Sequence, residues 1–362
     1  MNKDLIPNSF SDITVDWLNS VLSSKFLTKI LSFELGSPIE EGYTGEIFRI
    51  IPKYNDKSDS LPISLIIKLA TKNPGINKLL TETRGYEKEI KLYPELSKIN
   101  SLNLPKIYYS NINIEKSKYV LIMEDLNNRN LKLCKLEEGF DANFALKVID
   151  FFSKFQSEFW GPEKYYKLKF MEEYNFSLYL KDLTIENFNK RKNRFIEENK
   201  TRLGPKIIEL INNIDIIKLY ESTNPEDKKN FTLVHGDAQL SNLFYDEKNI
   251  IMIDWQYSSL GIGLKDVIIL LGISLNEKTT KDEIENLKNI YYEKLKYYGV
   301  KDYSKDNFNV DWKNCLLLSL ANIISVSNEE NIGDDNEKKK KYQNYLDISS
   351  RRFIDFIQFQ EL

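Results

Sequence analysis

The sequence predicts an α+β chain in two lobes, a small one built on an antiparallel sheet with a helix and a larger one that is mainly α. At 362 residues the chain exceeds one typical domain and falls short of three. Between residues 30 and 124, segments rich in β-branched and aromatic residues alternate with turn-rich intervals and enclose one helical stretch. From Gly139 onward Phe144, Val148, Phe151, Phe152, Phe155 and Phe159 recur at threes and fours, the period of a helix with one apolar face.

Taken in order, Thr14 ahead of Val15-Asp16-Trp17-Leu18 is placed to cap a short first helix. Strands are expected at 30–35, 46–52 and 62–70, a helix at 77–96, and two more strands at 106–110 and 119–123. Strands, one helix, then strands again define the small lobe, residues 1–126; the remainder, 127–362, forms the second lobe. That lobe is helical except at 231–255, where β-rich pieces at 231–234, 243–245 and 250–253 flank polar loops. The charged stretch 328–341 reads as a surface loop before a last helix at 342–358.

Composition narrows the class. Hydrophobic residues make up 41% of the chain and aromatics 12%, which excludes wholesale disorder. A formal net charge of −3 lacks the basic footprint of a nucleic-acid binder, so no nucleic-acid partner is expected. Cys134 and Cys315 are far apart and lack metal-ligand spacing. The first residues carry no apolar leader and no glycine at position 2, and the apolar run 267–275 is far shorter than the ~18 residues of a membrane span. A soluble, cytoplasmic protein without a membrane partner is the expectation, its oligomeric state open.

The chemistry gathers at 235–254. Phosphoryl transfer needs a carboxylate to orient the acceptor hydroxyl, ligands for magnesium, and cations around the phosphates. His235-Gly236-Asp237, followed by Ala238-Gln239-Leu240-Ser241-Asn242, sets a carboxylate five residues before a carboxamide, the spacing of a kinase catalytic loop. Asp237 is then the base, and Asn242 offers magnesium a side-chain oxygen. Asp254, ending the apolar run Ile250-Ile251-Met252-Ile253, is the second candidate metal ligand. Asp246 and Glu247 read as solvated hairpin residues.

Upstream, Leu65-Ile66-Ile67-Lys68-Leu69 puts one lysine in an apolar strand, where a buried ammonium needs a partner. Glu89 is the preferred one, with Glu82 and Glu87 as competitors on the same helix; a lysine so held would touch the α and β phosphates of ATP. The turn before that strand contains Gly42 and Gly45, which would let backbone N–H groups approach phosphate.

In this order the residues resemble the aminoglycoside phosphotransferase and choline kinase superfamily, and within it the ecdysteroid-kinase-like branch, also called CHK-kinase-like. His235-Gly236-Asp237 with Asn242 matches its catalytic loop, Asp254-Trp255-Gln256 its magnesium loop, and Lys68 with Glu89 its ATP-anchoring pair. Leu121-Ile122-Met123-Glu124-Asp125-Leu126 resembles the hinge, so Glu124 and Leu126 would meet adenine. Asp266, after Gly261-Ile262-Gly263, matches an aspartate of this branch. The resemblance implies a protein-kinase-like bilobal fold and an ATP- and Mg2+-dependent transfer to the hydroxyl of a small-molecule alcohol. Two departures stand out: Gln156 occupies a place where many relatives carry histidine, and the Asp-Phe-Gly glycine is missing, which argues against a protein kinase.

Plainer readings remain for single residues. His235 is read as support for the loop backbone, with Asp237 doing the acid–base work. Asp266 is read as a structural residue at a helix N-terminus. The aromatics between 151 and 179 suit core packing better than a cage for a quaternary ammonium. The alternative to an enzyme is a catalytically silent module that binds nucleotide or metabolite. The acceptor, an aminoglycoside-, choline- or steroid-like alcohol, is not legible.

Overall fold

The computed structural model describes residues 6–37, 45–99, 102–171, 179–327 and 336–360. Two compact units divide it: Met1–Lys132 with Phe244–Gln256, and Leu133–Leu243 with Tyr257–Leu362. The stretch carrying Asp254 thus groups with the first unit, whereas a division at 126/127 leaves it in the second.

In the first unit, helix α1 (Val15–Phe26) starts where Thr14 accepts the Trp17 N–H at 3.1 Å. Five strands follow: β1 (Ile30–Leu35), β2 (Gly45–Tyr54), β3 (Leu65–Ala70), β4 (Ile107–Asn113) and β5 (Lys118–Glu124). They form one antiparallel sheet in the order β1-β2-β3-β5-β4, which makes β3 its centre. Because side chains alternate across a strand, Leu65, Ile67 and Leu69 join Val120 and Ile122 in the core beneath α1, with Leu18, Leu22 and Ile50. Lys68, opposite Leu121 in the ladder, faces the other way.

That other face receives α3 (Gly85–Leu96), against which α2 (Pro74–Glu82) packs. The single helix expected at 77–96 is broken because Arg84 takes a left-handed φ of 52°. Asn73 caps α2, accepting the N–H groups of Gly75 and Ile76, and Pro74 occupies its first turn. The break frees α3 to start at Gly85, where an added Cβ would lie 2.7 Å from Leu80 and 3.1 Å from the Gln256 carbonyl. Near its end the chain enters the short strand β6 (Lys132–Leu133).

The second unit is helical around a small sheet. Its helices are α4 (Ala142–Glu158), α5 (Pro162–Tyr165), α6 (Lys181–Asn199), α7 (Pro205–Asn212), α8 (Ile216–Ser222), α9 (Leu264–Ser274), α10 (Lys281–Tyr297), α11 (Lys305–Val326) and α12 (Asn336–Gln358). Strand β7 (Phe231–Val234) pairs antiparallel with β10 (Ser259–Ile262), a strand the sequence pattern does not reveal. Between them in sequence come β8 (Leu243–Tyr245) and β9 (Ile250–Met252), neighbours in a separate sheet that, from Phe244 on, belongs to the first unit. Their turn is closed by Asp246, which accepts the N–H groups of Lys248 and Asn249.

Helix α9 is apolar nearly all round and buried on most sides. Its Gly272 lets Phe353 of α12 approach so closely that a Cβ there would sit 2.4 Å from the ring. Phe152, Phe155 and Phe159 are buried and pack edge-on to one another, so the α4 aromatics are core. Tyr174 and Phe176 lie outside the described residues. The last helix begins at Asn336, six residues before the expected 342, because the lysine run 338–341 continues its first turns. No helix among the described residues is long and apolar enough to cross a membrane.

Candidate functional site

The sequence-derived residues fall into two groups, one in each unit. In the first unit the Lys68 ammonium, 4% exposed, lies 3.0 Å from Glu89 Oε2, 3.2 Å from Oε1 and 2.6 Å from Asp254 Oδ1. Glu89 is fully buried at the middle of α3. Its competitors are engaged elsewhere: Glu82 pairs with Lys78, and Glu87 with Arg84 and Lys91. Burial alone would depress the Lys68 pKa, but the carboxylates of Asp254 and Glu89 outweigh it and hold the ammonium above its ordinary value. Burial pushes Glu89 up, against the pull of Lys68 and of the Tyr119 hydroxyl.

Asp254 follows β9 with φ of 68°, the left-handed region that non-glycine residues seldom occupy. Its second oxygen accepts the Gln256 amide at 3.3 Å. Gly45 opens β2 opposite Ala70; a Cβ there would meet the Leu69 carbonyl at 3.0 Å and the Lys68 Cε at 3.2 Å, so the glycine leaves room for the lysine. Gly42 lies outside the described residues. The Glu124 carboxylate is taken by Arg129 and the Lys106 N–H, and its own N–H donates to the Lys106 carbonyl. Leu126 packs with Leu131 and Ile251. The next residue after Glu124, Asp125, is buried and accepts from Arg49 and Ser64 at 2.6 Å each, which braces this segment against β2.

In the second unit β7 ends in the loop His235-Gly236-Asp237. Gly236 has φ of +81°, and a Cβ would fall 2.3 Å from the Tyr257 carbonyl, so only glycine fits this turn. The buried Asp266 carboxylate, at the start of α9, accepts the His235 N–H at 2.7 Å and the Gly236 N–H at 3.0 Å. Burial pushes the Asp266 pKa up to about 7, although the Gly236 and His235 N–H groups pull it down. His235 is fully buried, and its Nδ1 accepts the Asp237 N–H at 3.3 Å. Asp237 itself is gripped from the side: the Asn242 amide donates to Oδ2 at 2.9 Å, and the Gln239 amide to Oδ1 and Oδ2 at 2.9 and 3.0 Å.

Three further residues shape these groups. Gln156, fully buried on α4, accepts the Tyr291 hydroxyl and donates to the Gly263 carbonyl at 3.0 Å, and its amide also bonds Asp266. In sequence it stands out only as a departure from a resemblance. Gln239 carried no signal beyond its place two residues after Asp237. Tyr119, whose hydroxyl donates to Glu89 Oε2 at 2.7 Å, lies two residues before Leu121 and hence on the Lys68 face of the sheet, which period two could have indicated.

Among the described residues no cluster of three or more His, Cys, Asp and Glu is arranged to hold a metal. The donors on hand are oxygens: the Asp254 carboxylate in the first unit and, in the second, the Asn242 carboxamide, whose nitrogen is committed to Asp237 so that its oxygen is the acceptor. Hard oxygen donors of this kind suit magnesium.

Solved structures with related folds include the choline kinase of Cryptosporidium parvum Iowa II, 12% identical over 96% of this chain and 95% of that one, TM-score 0.55. Another is the GDP complex of wild-type aminoglycoside 2'-phosphotransferase-IIIa, 13% identical over 93% and 99%, TM-score 0.50. At these identities the likeness establishes the fold, a kinase-like one. A search of curated proteins finds no match. The model of the ecdysteroid kinase-like family matches residues 40–301, a span that contains Lys68, Glu89, Asp237, Asn242, Asp254 and Asp266, and the chain belongs to that family.

Proposed function

We propose that the protein is a small-molecule kinase that moves the γ-phosphoryl group of ATP to an alcohol. The observation that carries this reading is Asp237, a carboxylate held by two carboxamides on a loop whose backbone is tied to a buried aspartate. Such a group is placed to orient one hydroxyl and accept its proton. The acceptor oxygen bonds to the γ-phosphorus, the bond from that phosphorus to the bridging oxygen breaks, ADP leaves, and Asp237 takes the hydroxyl proton.

Lys68 is assigned to the phosphates and Glu89 to holding it. Glu124, Leu126 and Gly45 are assigned to the nucleotide. Magnesium, when bound, would neutralise phosphate charge, with Asp254 and Asn242 as its protein ligands. His235 and Asp266 support the catalytic loop. The likeness of fold to a choline kinase and an aminoglycoside phosphotransferase supports a small-molecule alcohol as the acceptor.

The test is a mass-spectrometric screen of metabolite extracts for an ATP-dependent gain of one phosphate, run with the wild type and with Asp237→Ala. Turnover by the wild type and none by the variant is expected. Undiminished phosphorylation by the variant overturns the assignment. Nucleotide binding with no product from any extract would favour a silent binding module.

A further inference from the structure

We propose that Tyr119 is a positioning residue of the nucleotide site, whose hydroxyl keeps the Glu89 carboxylate in place when Lys68 turns to phosphate. The inference rests on the reading that Lys68 contacts the phosphates. In the structure the ammonium is divided between two anions, and its contact with Asp254, at 2.6 Å, is shorter than either contact with Glu89. Glu89 is fully buried, so water cannot replace a bond that Lys68 gives up. A buried carboxylate stripped of donors is costly, and Tyr119, 2.7 Å from Oε2, is the donor that does not depend on the lysine.

Tyr119 is itself braced. Its ring stacks on Tyr86 with centroids 4.7 Å apart and planes at 23°, and the Tyr86 hydroxyl accepts the Thr71 N–H at 3.1 Å. Tyr86 and Glu89 are three apart on α3 and so share a face. One tyrosine reaches from the helix to the end of β3 and the other from β5 to the helix. The hydroxyls thereby fix α3 against the sheet at two points beside Lys68. A tyrosine serving only as core would need neither its oxygen nor this partner.

Binding of magnesium with the non-hydrolysable analogue adenylyl imidodiphosphate, followed by calorimetry, tests the inference in the full chain. Tyr119→Phe is expected to weaken binding about 10- to 100-fold, the effect of one hydrogen bond to a charged group. The Tyr119→Phe/Glu89→Gln double variant is expected to bind no more weakly than Glu89→Gln alone. Wild-type affinity in Tyr119→Phe, even with a lowered melting temperature, overturns the proposal, as do losses that multiply in the double variant.

Lys68→Met separates the two ideas: if it binds the analogue as the wild type does, the reading of Lys68 falls instead. If the wild type binds no analogue, the nucleotide reading fails, and urea denaturation of the same variants judges the clamp, with additive losses for Tyr119→Phe and Glu89→Gln overturning it. Should Tyr119→Phe not fold, Tyr86→Phe loosens the brace one step away. A smaller weakening is then expected, and unchanged affinity counts against the proposal.

Discussion

Lys68 and Asp254 are joined at 2.6 Å while Glu89 holds the same ammonium from the helix side, so one buried cation serves two carboxylates. Removing it leaves Glu89 ionised in the core or forces it to take a proton. Lys68→Met is therefore expected to lower unfolding free energy in urea by about 3–5 kcal/mol. Adding Glu89→Leu should restore much of that loss, since an apolar pair of similar volume avoids the buried charge. A single variant as stable as the wild type would show that the pair does not hold the sheet and helix together.

Gln239 spans both oxygens of Asp237. Gln239→Leu keeps the bulk and removes the donor. Turnover in the phosphorylation assay should fall about tenfold, with the KM for ATP unchanged, because only the aim of Asp237, the proposed base, is lost. A raised KM for ATP with intact kcat would place Gln239 on the nucleotide instead.

Asp266 gives a pH signature. Its pKa in the folded protein is about 7 against an ordinary 3.8, so the folded chain holds this proton more tightly than the unfolded one. The contribution of Asp266 to stability is then greatest below the unfolded value and is withdrawn as pH rises through about 7. The groups facing it are the His235 and Gly236 N–H donors, Gln156 and the more distant Asp237 charge. The stability difference between wild type and Asp266→Asn, followed by melting from pH 4 to 8, should shift steadily against the wild type with rising pH. A flat difference across that window contradicts the assignment.

Two glycines allow a direct comparison of backbone and packing limits. At Gly236 both the positive φ and the Tyr257 carbonyl forbid a side chain, so Gly236→Ala should abolish turnover by displacing the catalytic loop. At Gly272 the backbone is helical and the obstacle is the Phe353 ring. Gly272→Ala should destabilise by about 1–3 kcal/mol through overpacking. Restoration by Gly272→Ala/Phe353→Leu, read by thermal melting, would identify the ring as the cause.

Much of this architecture is written locally. Strands at 30–35, 231–234 and 243–245 follow the sequence pattern to the residue, and Thr14 caps the helix expected of it. A lysine in an apolar strand announces itself, because burial of its charge demands a partner. What escapes is decided by tertiary context. Nothing in Thr83-Arg84 marks a left-handed residue, so one helix is expected where two exist. Ser259–Ile262 becomes a strand only because β7 lies beside it. Tyr119 sits in an apolar run and reads as core until its hydroxyl is seen on Glu89. Gln156 has no local mark of its four-way role among α4, β7, α9 and α10: its backbone carbonyl takes the Thr232 hydroxyl, and its side chain meets Gly263, Tyr291 and Asp266.

The assignment of Phe244–Gln256 to the first unit has a consequence for biogenesis. The segment that delivers Asp254 to Lys68 is separated from the rest of its unit by more than a hundred residues of the other unit. During synthesis the amino-terminal sheet must wait, its lysine and glutamate lacking their third charge, until residue 256 has left the ribosome. A gene fragment stopping at residue 132 would accordingly encode an unfinished unit, and splitting the protein for separate expression calls for grafting that segment back onto it.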